Sequence, residues 1–265
     1  MGILEDKVIV IGGVGPAMGR ATAVRAARHG AKVVMSARTA SRLDDIVAEI
    51  EAEGGVAVAV PSDIGVVDDC RRVAQVAVDR FGRIDGVAMI ACMEPDRTLF
   101  DDTDDEFDMW RKITDFNLYG TISMVKQCLK HMPRGGSVAI VGSVSQDQGY
   151  PFVAPYAAAK AGLAAMVRSL AIEYGVKHKD RDIRFNMATA GGVAGEPYYI
   201  YVQQLADMAG VSFEEQKAAM SDNQPLGYIP IPEEYADSLI FLLSDMSRGL
   251  QGQNVQVNGG AFMKP

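Results

Sequence analysis

Residues 8–19 read Val8-Ile9-Val10-Ile11-Gly12-Gly13-Val14-Gly15-Pro16-Ala17-Met18-Gly19. The β-branched residues at the start predict a buried strand, and a helical pattern follows over residues 20–29. Between them, glycines permit a tight turn and allow the backbone to approach a pyrophosphate group closely. The N-terminus of the helix would add free N–H groups and a partial positive charge. This order of strand, turn and helix favours a phosphate-binding turn over a glycine-rich connection that binds nothing.

The same alternation of strand and helix continues along the chain. Further strands are predicted at residues 31–37, 56–60, 87–91, 137–141, 183–188 and 254–257, and helices at residues 41–53, 68–81, 115–131, 154–174 and 232–244. Alternating elements joined by short turns imply a parallel sheet with helices on both faces. We therefore predict the α/β class, with one doubly wound, Rossmann-like domain over residues 1–265.

Residues 190–230 form the one irregular zone in this pattern. The zone contains Tyr198, Tyr199 and Tyr201, followed by an amphipathic piece at residues 211–220. Ligands of such folds bind at the carboxyl edge of the sheet. We therefore predict that this segment covers the substrate there, and a long surface loop is the alternative.

The composition excludes several classes of function. The chain has 265 residues, of which 48% are hydrophobic, and a formal net charge of −8. This charge argues against general binding to nucleic acid or to an anionic membrane. The three cysteines and three histidines are scattered without metal-ligand spacing, so we expect no metal site. No apolar run reaches transmembrane length and no basic region precedes the first strand, so we expect a soluble, cytoplasmic protein.

Tyr156 and Lys160 are the first candidates for chemistry. They are four residues apart, separated by three alanines that favour helix, so both side chains would project from one face. A neighbouring cation favours the ionised form of a phenol, which is otherwise a poor base at neutral pH. Ser143 lies thirteen residues upstream of Tyr156. The alternative is a helix with an exposed tyrosine and a solvated lysine.

The end of the second predicted strand indicates which dinucleotide binds. It reads Ser36-Ala37-Arg38-Thr39, without the acidic residue that usually holds the ribose hydroxyls of NAD. An arginine at this position suits a 2′-phosphate. The sequence therefore favours NADP(H). NAD(H) remains possible if Arg38 is an ordinary solvated charge.

Taken together, these features resemble the short-chain dehydrogenase/reductase family over nearly the whole chain. The family's Thr-Gly-x-x-x-Gly-x-Gly turn is matched by Gly12, Gly13, Ala17 and Gly19. The other matching motifs are Asp63-Ile64 after the third strand, the helix asparagine Asn117, Gly142-Ser143, Tyr156-x-x-x-Lys160, Gln251-Gly252-Gln253 and Val257-Asn258-Gly259-Gly260.

The resemblance implies a role for each matched position. Tyr156 would be the general acid in carbonyl reduction and the base in alcohol oxidation. Ser143 would hydrogen-bond the substrate oxygen, and Lys160 would hold the nicotinamide ribose and assist Tyr156. Asn117 would position a water that links Lys160 to solvent. The residues expected to bind the cofactor are Gly13, Gly15, Ala17, Met18, Gly19, Arg38, Asp63, Ile64, Ala91, Tyr156, Lys160, Gly191 and Val193.

The resemblance also implies assembly. A homotetramer would be built through the helices at residues 115–131 and 154–174, which carry apolar residues on more than one side. A homodimer is the alternative.

The chain departs from the family pattern around the cofactor cleft. Gly12 replaces a threonine, Ala17 a glycine, and Met89-Ile90-Ala91-Cys92 stands where the family has Asn-Asn-Ala-Gly. Ala190-Gly191 replaces Pro-Gly, and a later threonine is lost at Gly195. These departures motivate an alternative function, a non-catalytic NADP(H)-binding regulatory protein. The four matched catalytic positions argue against it.

The aromatic residues near the cleft indicate the type of substrate. Tyr150 and Phe152, with the three tyrosines of the irregular zone, could form a wall for a bulky, cyclic or aromatic ketone or secondary alcohol. Packing in the core or at a subunit interface is the alternative. Glu94 and Asp96 are interpreted as solvated rather than catalytic. The sequence thus predicts an NADP(H)-dependent oxidoreductase that interconverts a ketone and a secondary alcohol, with an NAD-dependent alcohol dehydrogenase as the alternative enzyme.

Overall fold

A parallel sheet carries the site. The computed structural model describes residues 2–93 and 105–263. Within them the strands are β1 (Val8–Gly12), β2 (Lys32–Ala37), β3 (Val56–Pro61), β4 (Gly86–Met89), β5 (Ser137–Ser143), β6 (Arg184–Ala190) and β7 (Asn254–Val257). Their order is β3-β2-β1-β4-β5-β6-β7, and each neighbouring pair is parallel. The predicted doubly wound α/β fold is therefore confirmed.

Helices connect the strands. They are α1 (Met18–Arg28), α2 (Ala40–Ala52), α3 (Val67–Phe81), α4 (Asp105–Thr114), α5 (Thr121–Leu129), α6 (Ala154–Lys177), α7 (Glu196–Ala209), α8 (Phe213–Asp222) and α9 (Pro232–Leu243). A π turn, Asp115–Gly120, joins α4 to α5, and short 3₁₀ turns lie at Val144–Gln146 and Asp245–Ser247.

Successive side chains of each strand point to opposite faces of the sheet, and helices cover both faces. Val8 and Val10 belong to one core, together with residues of α3, α5 and α6. Ile9 and Ile11 belong to the other core, together with residues of α1, α2 and α9. Chain order along the sheet reverses between β1 and β4, where folds of this type bind ligands at the carboxyl edge.

Two segments differ from the predicted elements. The helix predicted over residues 115–131 begins with the π turn and becomes regular only at Thr121. The zone predicted to be irregular contains α7 and α8, which pack against each other and which we call the α7–α8 hairpin. Its start and stop signals are local: Gly210 ends α7 in the left-handed conformation, and Ser212 caps α8 in a capping box with Glu215.

A buried arginine ties the sheet to α9. Arg184, at the start of β6, donates hydrogen bonds to the backbone carbonyls of Leu242, Ser244 and Ser247 over 2.9–3.1 Å and to the hydroxyl of Ser247. Burial lowers the pKa of its guanidinium. These carbonyls lie at or just beyond the C-terminus of α9, where helix carbonyls have no partner within the helix. Arg184 therefore adds to the hydrogen bonds that the end of α9 also receives from Ser137 and Ser247.

Candidate active site

The glycine turn brings β1, β4 and α1 into close contact. Gly13 has φ +91°, and a Cβ atom there would lie 2.2 Å from the backbone nitrogen of Ala91. A Cβ atom on Gly19 would lie 2.6 Å from Cα of Val14, so only glycine permits this packing. Next to Gly15 the space is open, and the first turn of α1 carries no acidic residue. The turn therefore fits an anionic group such as the pyrophosphate of a dinucleotide.

Two departures from the family pattern compensate each other. Gly12 and Met89 are partners in the pairing of β1 with β4. The sulfur of buried Met89 lies 2.7 Å from where a Cβ atom of residue 12 would be. The thioether thus fills the volume that a larger residue 12 would need. The two departures are therefore accommodated together where β1 packs against β4.

The ends of β2 and β3 form the next part of the cleft. Arg38 is exposed, and its guanidinium carbon lies 5.7 Å from the ring centroid of Phe116, within the range of a cation–π contact. The buried hydroxyls of Ser36 and Ser62 are hydrogen-bonded at 2.7 Å, which links the two strand ends. Arg38 is therefore oriented by an aromatic ring at the position where the sequence predicts a 2′-phosphate.

Asp63 and Ile64 follow β3. The Asp63 carboxylate accepts the N–H of Gly65 over 2.8 Å. Ile64 is buried against Gly120, where a Cβ atom would lie 2.9 Å from the isoleucine side chain. This pair, which the sequence predicts to bind the cofactor, therefore lies beside the π turn.

Asn117 is completely buried within the π turn. Its side-chain nitrogen donates to the carbonyls of Met93 and Ile113 over 2.7 and 2.9 Å, and its side-chain oxygen accepts the N–H of Met93 over 3.0 Å. Asn117 thereby anchors the segment that follows β4. The water-positioning role stays a prediction.

Lys160 and Tyr156 lie together on α6, as their spacing predicts. Lys160 is only 1% exposed, and its ammonium donates to the carbonyl of Val141 in β5 over 2.9 Å. The same nitrogen lies 5.5 Å from the ring centroid of Tyr156. A buried ammonium must be compensated by polar partners. The alternative of a solvated lysine is thus ruled out, and the cation is held beside the phenol.

Ser143 ends β5 and caps the 3₁₀ turn Val144–Gln146, which packs against α6. The N–H of Ser143 donates to the side-chain oxygen of Gln146 over 3.3 Å. The amide nitrogen of Gln146 donates to the hydroxyl of Thr189 in β6 over 3.2 Å. This turn is therefore tied to the neighbouring strand.

The segment after β6 returns to the glycine turn. Gly191 packs against Asn258, and the carbonyl of Gly192 accepts the hydroxyl of buried Tyr235 over 2.7 Å. At Gly195 a Cβ atom would lie 3.7 Å from that of Ala17. The segment that follows β6 thus approaches the start of α1 at Ala17, and the roles of Gly191 and Val193 in cofactor binding stay predictions.

The aromatic residues of α7 form a cluster. The ring of Tyr198 lies 6.2 Å from that of Tyr199 and 6.4 Å from that of Tyr201, between centroids. Burial, with a smaller effect of Tyr201 and Tyr199, raises the pKa of Tyr198 to about 12. Burial, with a smaller effect of Tyr201, also raises the pKa of Tyr150. The hydroxyl of Tyr198 faces the sulfur of Met220 in α8 over 3.7 Å.

Two further features of the described residues concern metal ligands and long apolar helices. Among residues 2–93 and 105–263, no three His, Cys, Asp or Glu side chains are grouped as a metal site. None of the helices in that part of the chain has the length and apolar character needed to cross a bilayer. Glu94 and Asp96 lie outside the described residues.

Comparison with known proteins decides the family. A family model described as enoyl-(acyl carrier protein) reductase matches residues 13–261, which is most of the chain. The chain belongs to the short-chain dehydrogenase/reductase family. It is therefore an oxidoreductase of that family, as the resemblance implied.

Relatives of this dehydrogenase/reductase span nearly its whole length. It is 33% identical to an L-rhamnose 1-dehydrogenase (NAD(P)(+)) from Sphingomonas sp. (strain SKA58), with 99% of both chains covered. It is 28% identical to tetrahydroxynaphthalene reductase from Pyricularia oryzae, over 98% of this chain and 91% of the relative. The crystal structure of levodione reductase superposes with a TM-score of 0.87 at 28% identity, covering 97% of each chain.

Two residues of the dehydrogenase/reductase site were missed by sequence reasoning. Ser145 and Gln146 both contact Ser143. Gln146 had a signal, because Ser-x-x-Gln is the pattern of a capping box. Ser145 had no such signal, since its contact with Ser143 depends on the direction of one hydroxyl.

Proposed function

We propose that this enzyme interconverts a ketone and a secondary alcohol with NADP(H), and that Tyr156 is its proton donor and acceptor. One observation carries the proposal: the ammonium of Lys160 is buried, bonded to the Val141 carbonyl and held 5.5 Å from the Tyr156 ring. Val141 is two residues before Ser143 in the same strand. The hydroxyl, phenol and ammonium groups are therefore positioned by one strand and one helix.

The chain's own groups handle the proton. When bound, the nicotinamide supplies or accepts the hydride. In reduction, the phenolic hydroxyl of Tyr156 gives its proton to the substrate oxygen, while Ser143 donates a hydrogen bond to that oxygen. Lys160 stabilises the phenolate left on Tyr156. In oxidation the same phenolate removes the hydroxyl proton of the alcohol.

The preference for NADP(H) rests on Arg38. Its guanidinium lies at the end of β2, over the ring of Phe116, and Ala37 supplies no carboxylate. A planar guanidinium binds a phosphate through two parallel hydrogen bonds. The name of the Sphingomonas relative includes both NAD and NADP. NAD(H) use at lower affinity is compatible with this site.

The substrate is proposed to be cyclic and bulky. Burial raises the pKa of Tyr150 and Tyr198, and the ring of Tyr201 lies 6.4 Å from that of Tyr198. Such aromatic surface suits a ring stacked on apolar faces. The names of two relatives refer to a polycyclic phenol and a sugar, both of which are ring compounds. The α7–α8 hairpin would cover this substrate.

The proposal is tested by cofactor titration followed by turnover. Binding of NADPH and NADH is measured by fluorescence. Reduction of 1-tetralone and levodione by NADPH, and oxidation of L-rhamnose with NADP⁺, are then followed at 340 nm. We expect tighter binding of NADPH and turnover of at least one cyclic ketone. Binding of NADPH without turnover of any carbonyl or alcohol in a wider panel would instead support the regulatory function.

We further propose a homotetramer in which α6 contacts a second copy. Ile172 is 70% and Val176 67% exposed on one face of this helix, together with Arg168 and Glu173. Tyr119, in the neighbouring π turn, is 61% exposed. Light scattering at micromolar concentration should give four times the chain mass, and Ile172→Glu should shift the protein to a smaller species. A monomeric unmodified protein would contradict this assembly.

A further inference from the structure

Ser143 is held by a second serine. Ser145 lies two residues further, in the 3₁₀ turn Val144–Gln146. Its backbone N–H donates to Oγ of Ser143 over 3.2 Å, and its hydroxyl donates to the same oxygen over 2.9 Å. Ser143 therefore receives two hydrogen bonds from one residue.

These two bonds restrict the direction of the Ser143 proton. A serine hydroxyl has one proton and two lone pairs. Since both lone pairs of Ser143 face donors from Ser145, its own O–H must point away from Ser145. Ser145 is buried, whereas Ser143 is half-buried at the carboxyl edge of β5. The direction in which the O–H of Ser143 points is therefore accessible from the cleft.

The turn that holds Ser145 is itself fixed. Gln146 bonds Ser143 on one side and Thr189 on the other, and Thr189 donates to Asn254 at the start of β7. A Cβ atom on Gly142 would lie 2.7 Å from the side-chain oxygen of Gln146, so this amide lies directly against the strand. Rotation of the turn would break this series of bonds across three strands.

We propose that Ser145 is a positioning residue that makes Ser143 a hydrogen-bond donor toward the substrate oxygen. Without the Ser145 hydroxyl, one lone pair of Ser143 is free, and its proton can rotate to other acceptors. The oxygen that receives charge during reduction then loses an oriented donor. This inference rests on the proposed function, because it requires that Ser143 contact the substrate.

The test compares single and double variants. Ser145→Ala, Ser145→Thr, Ser143→Ala and the double variant Ser143→Ala/Ser145→Ala are assayed with whichever of 1-tetralone, levodione and L-rhamnose the unmodified enzyme turns over fastest. Ser137→Ala is the matched control, because Ser137 is a buried serine at the other end of β5 that donates to the Leu242 carbonyl. Melting temperature and NADPH affinity are measured for each variant.

We expect Ser145→Ala to lower kcat about tenfold, the effect of one lost hydrogen bond in the transition state, with KM and NADPH affinity changed less than about twofold. Ser145→Thr, which keeps the hydroxyl, should restore kcat to within about threefold of the unmodified value. Ser137→Ala should leave kcat unchanged. The double variant should be no slower than Ser143→Ala, since Ser145 acts through Ser143.

Each contrary result has a distinct meaning. Unchanged kcat in Ser145→Ala, or a further loss when it is added to Ser143→Ala, overturns the positioning role and leaves the proposed function intact. Near-normal kcat in Ser143→Ala overturns the proposed contact of Ser143 with the substrate oxygen, and the positioning role with it, whereas absence of turnover by the unmodified enzyme overturns the proposed function. If Ser145→Ala unfolds more easily than Ser137→Ala, Ser145→Cys replaces it, because a thiol keeps the volume and donates only weakly. Full activity of that variant would also overturn the role.

Discussion

Two parts of the molecule are built in different ways. One is the side of the cleft that carries Ser143 and Lys160, and the other is the α7–α8 hairpin. Lys160 is buried and bonded to a strand, and the turn after Ser143 is bonded across three strands. The hairpin is much less embedded, because α8 has no buried residue and α7 buries only Val202 and Ala206 among its described side chains. Lys160 and the turn after Ser143 are thus tied to the core, whereas the tyrosines of α7 lie on a helix with few buried residues.

This contrast suggests how chemistry and substrate choice are separated. Residues fixed by the core keep a productive geometry without help from the ligand. A hairpin with few buried contacts can open locally and can change its sequence without loss of the fold. We therefore expect substitutions beside Ser143 and Lys160 to change turnover, and substitutions in the hairpin to change local amide exchange.

The largest effect is expected at Tyr156. Tyr156→Phe keeps the ring but removes the hydroxyl, so turnover should fall by about two to four orders of magnitude, the usual contribution of general acid–base catalysis. NADPH affinity and melting temperature should barely change. Lys160→Ala should also reduce turnover and, in addition, weaken NADPH binding.

The two losses should not add, because Tyr156 and Lys160 act as a unit. Steady-state kinetics of the single and double variants check this. Near-normal turnover of Tyr156→Phe on an accepted substrate would mean that only the fold, and not the proposed mechanism, is shared with the family.

The next largest effect concerns the stability of the core. Arg184→Met removes the guanidinium and leaves the carbonyls of Leu242, Ser244 and Ser247 without it, which should lower the free energy of unfolding by about 2–4 kcal/mol. Urea denaturation measures the change. Arg248→Met, at an exposed arginine nearby, is the control and should have little effect. Equal stability of the two variants would show that Arg184 does not hold α9.

A smaller effect is expected on cofactor choice. Arg38→Ala should weaken NADPH binding about ten- to a hundredfold, the range for a lost charge-assisted phosphate contact, and should change NADH binding little. Fluorescence titration gives both affinities. Arg71→Ala, at an exposed arginine on α3, controls for the loss of a positive charge. Equal affinity of the unmodified protein for NADPH and NADH would refute the preference.

The smallest effect is expected in the hairpin. Ser212→Ala removes the N-cap of α8 and should destabilise that helix by about 1 kcal/mol. Amide exchange in α8 should become about fivefold faster, while the melting temperature changes by less than about 1 °C, because α8 opens separately from the core. Hydrogen exchange with mass spectrometry resolves the two outcomes. A clear drop in melting temperature would show that the hairpin and the core unfold together.

Much of this architecture could be predicted from the sequence, because its signals are local. The β-branched runs located the strands, and the spacing of Tyr156 and Lys160 placed them on one helix face. The π turn could not be predicted in this way, since Asn117 is held by Met93, a contact set by the tertiary fold. Helix α7 was missed although Gly210 marks its end, because its aromatic residues did not show an amphipathic pattern.

The pairing of Gly12 with Met89 makes the two residues depend on each other. The family pattern has a threonine and an asparagine at these two positions. A threonine at residue 12 would need space that the Met89 thioether occupies, since a Cβ atom there would lie 2.7 Å from the sulfur. The thioether is the end of a flexible side chain, so Gly12→Thr alone requires that side chain to move. The combined effect of Gly12→Thr and Met89→Asn on stability should therefore differ from the sum of the two single effects, because the two side chains share one volume.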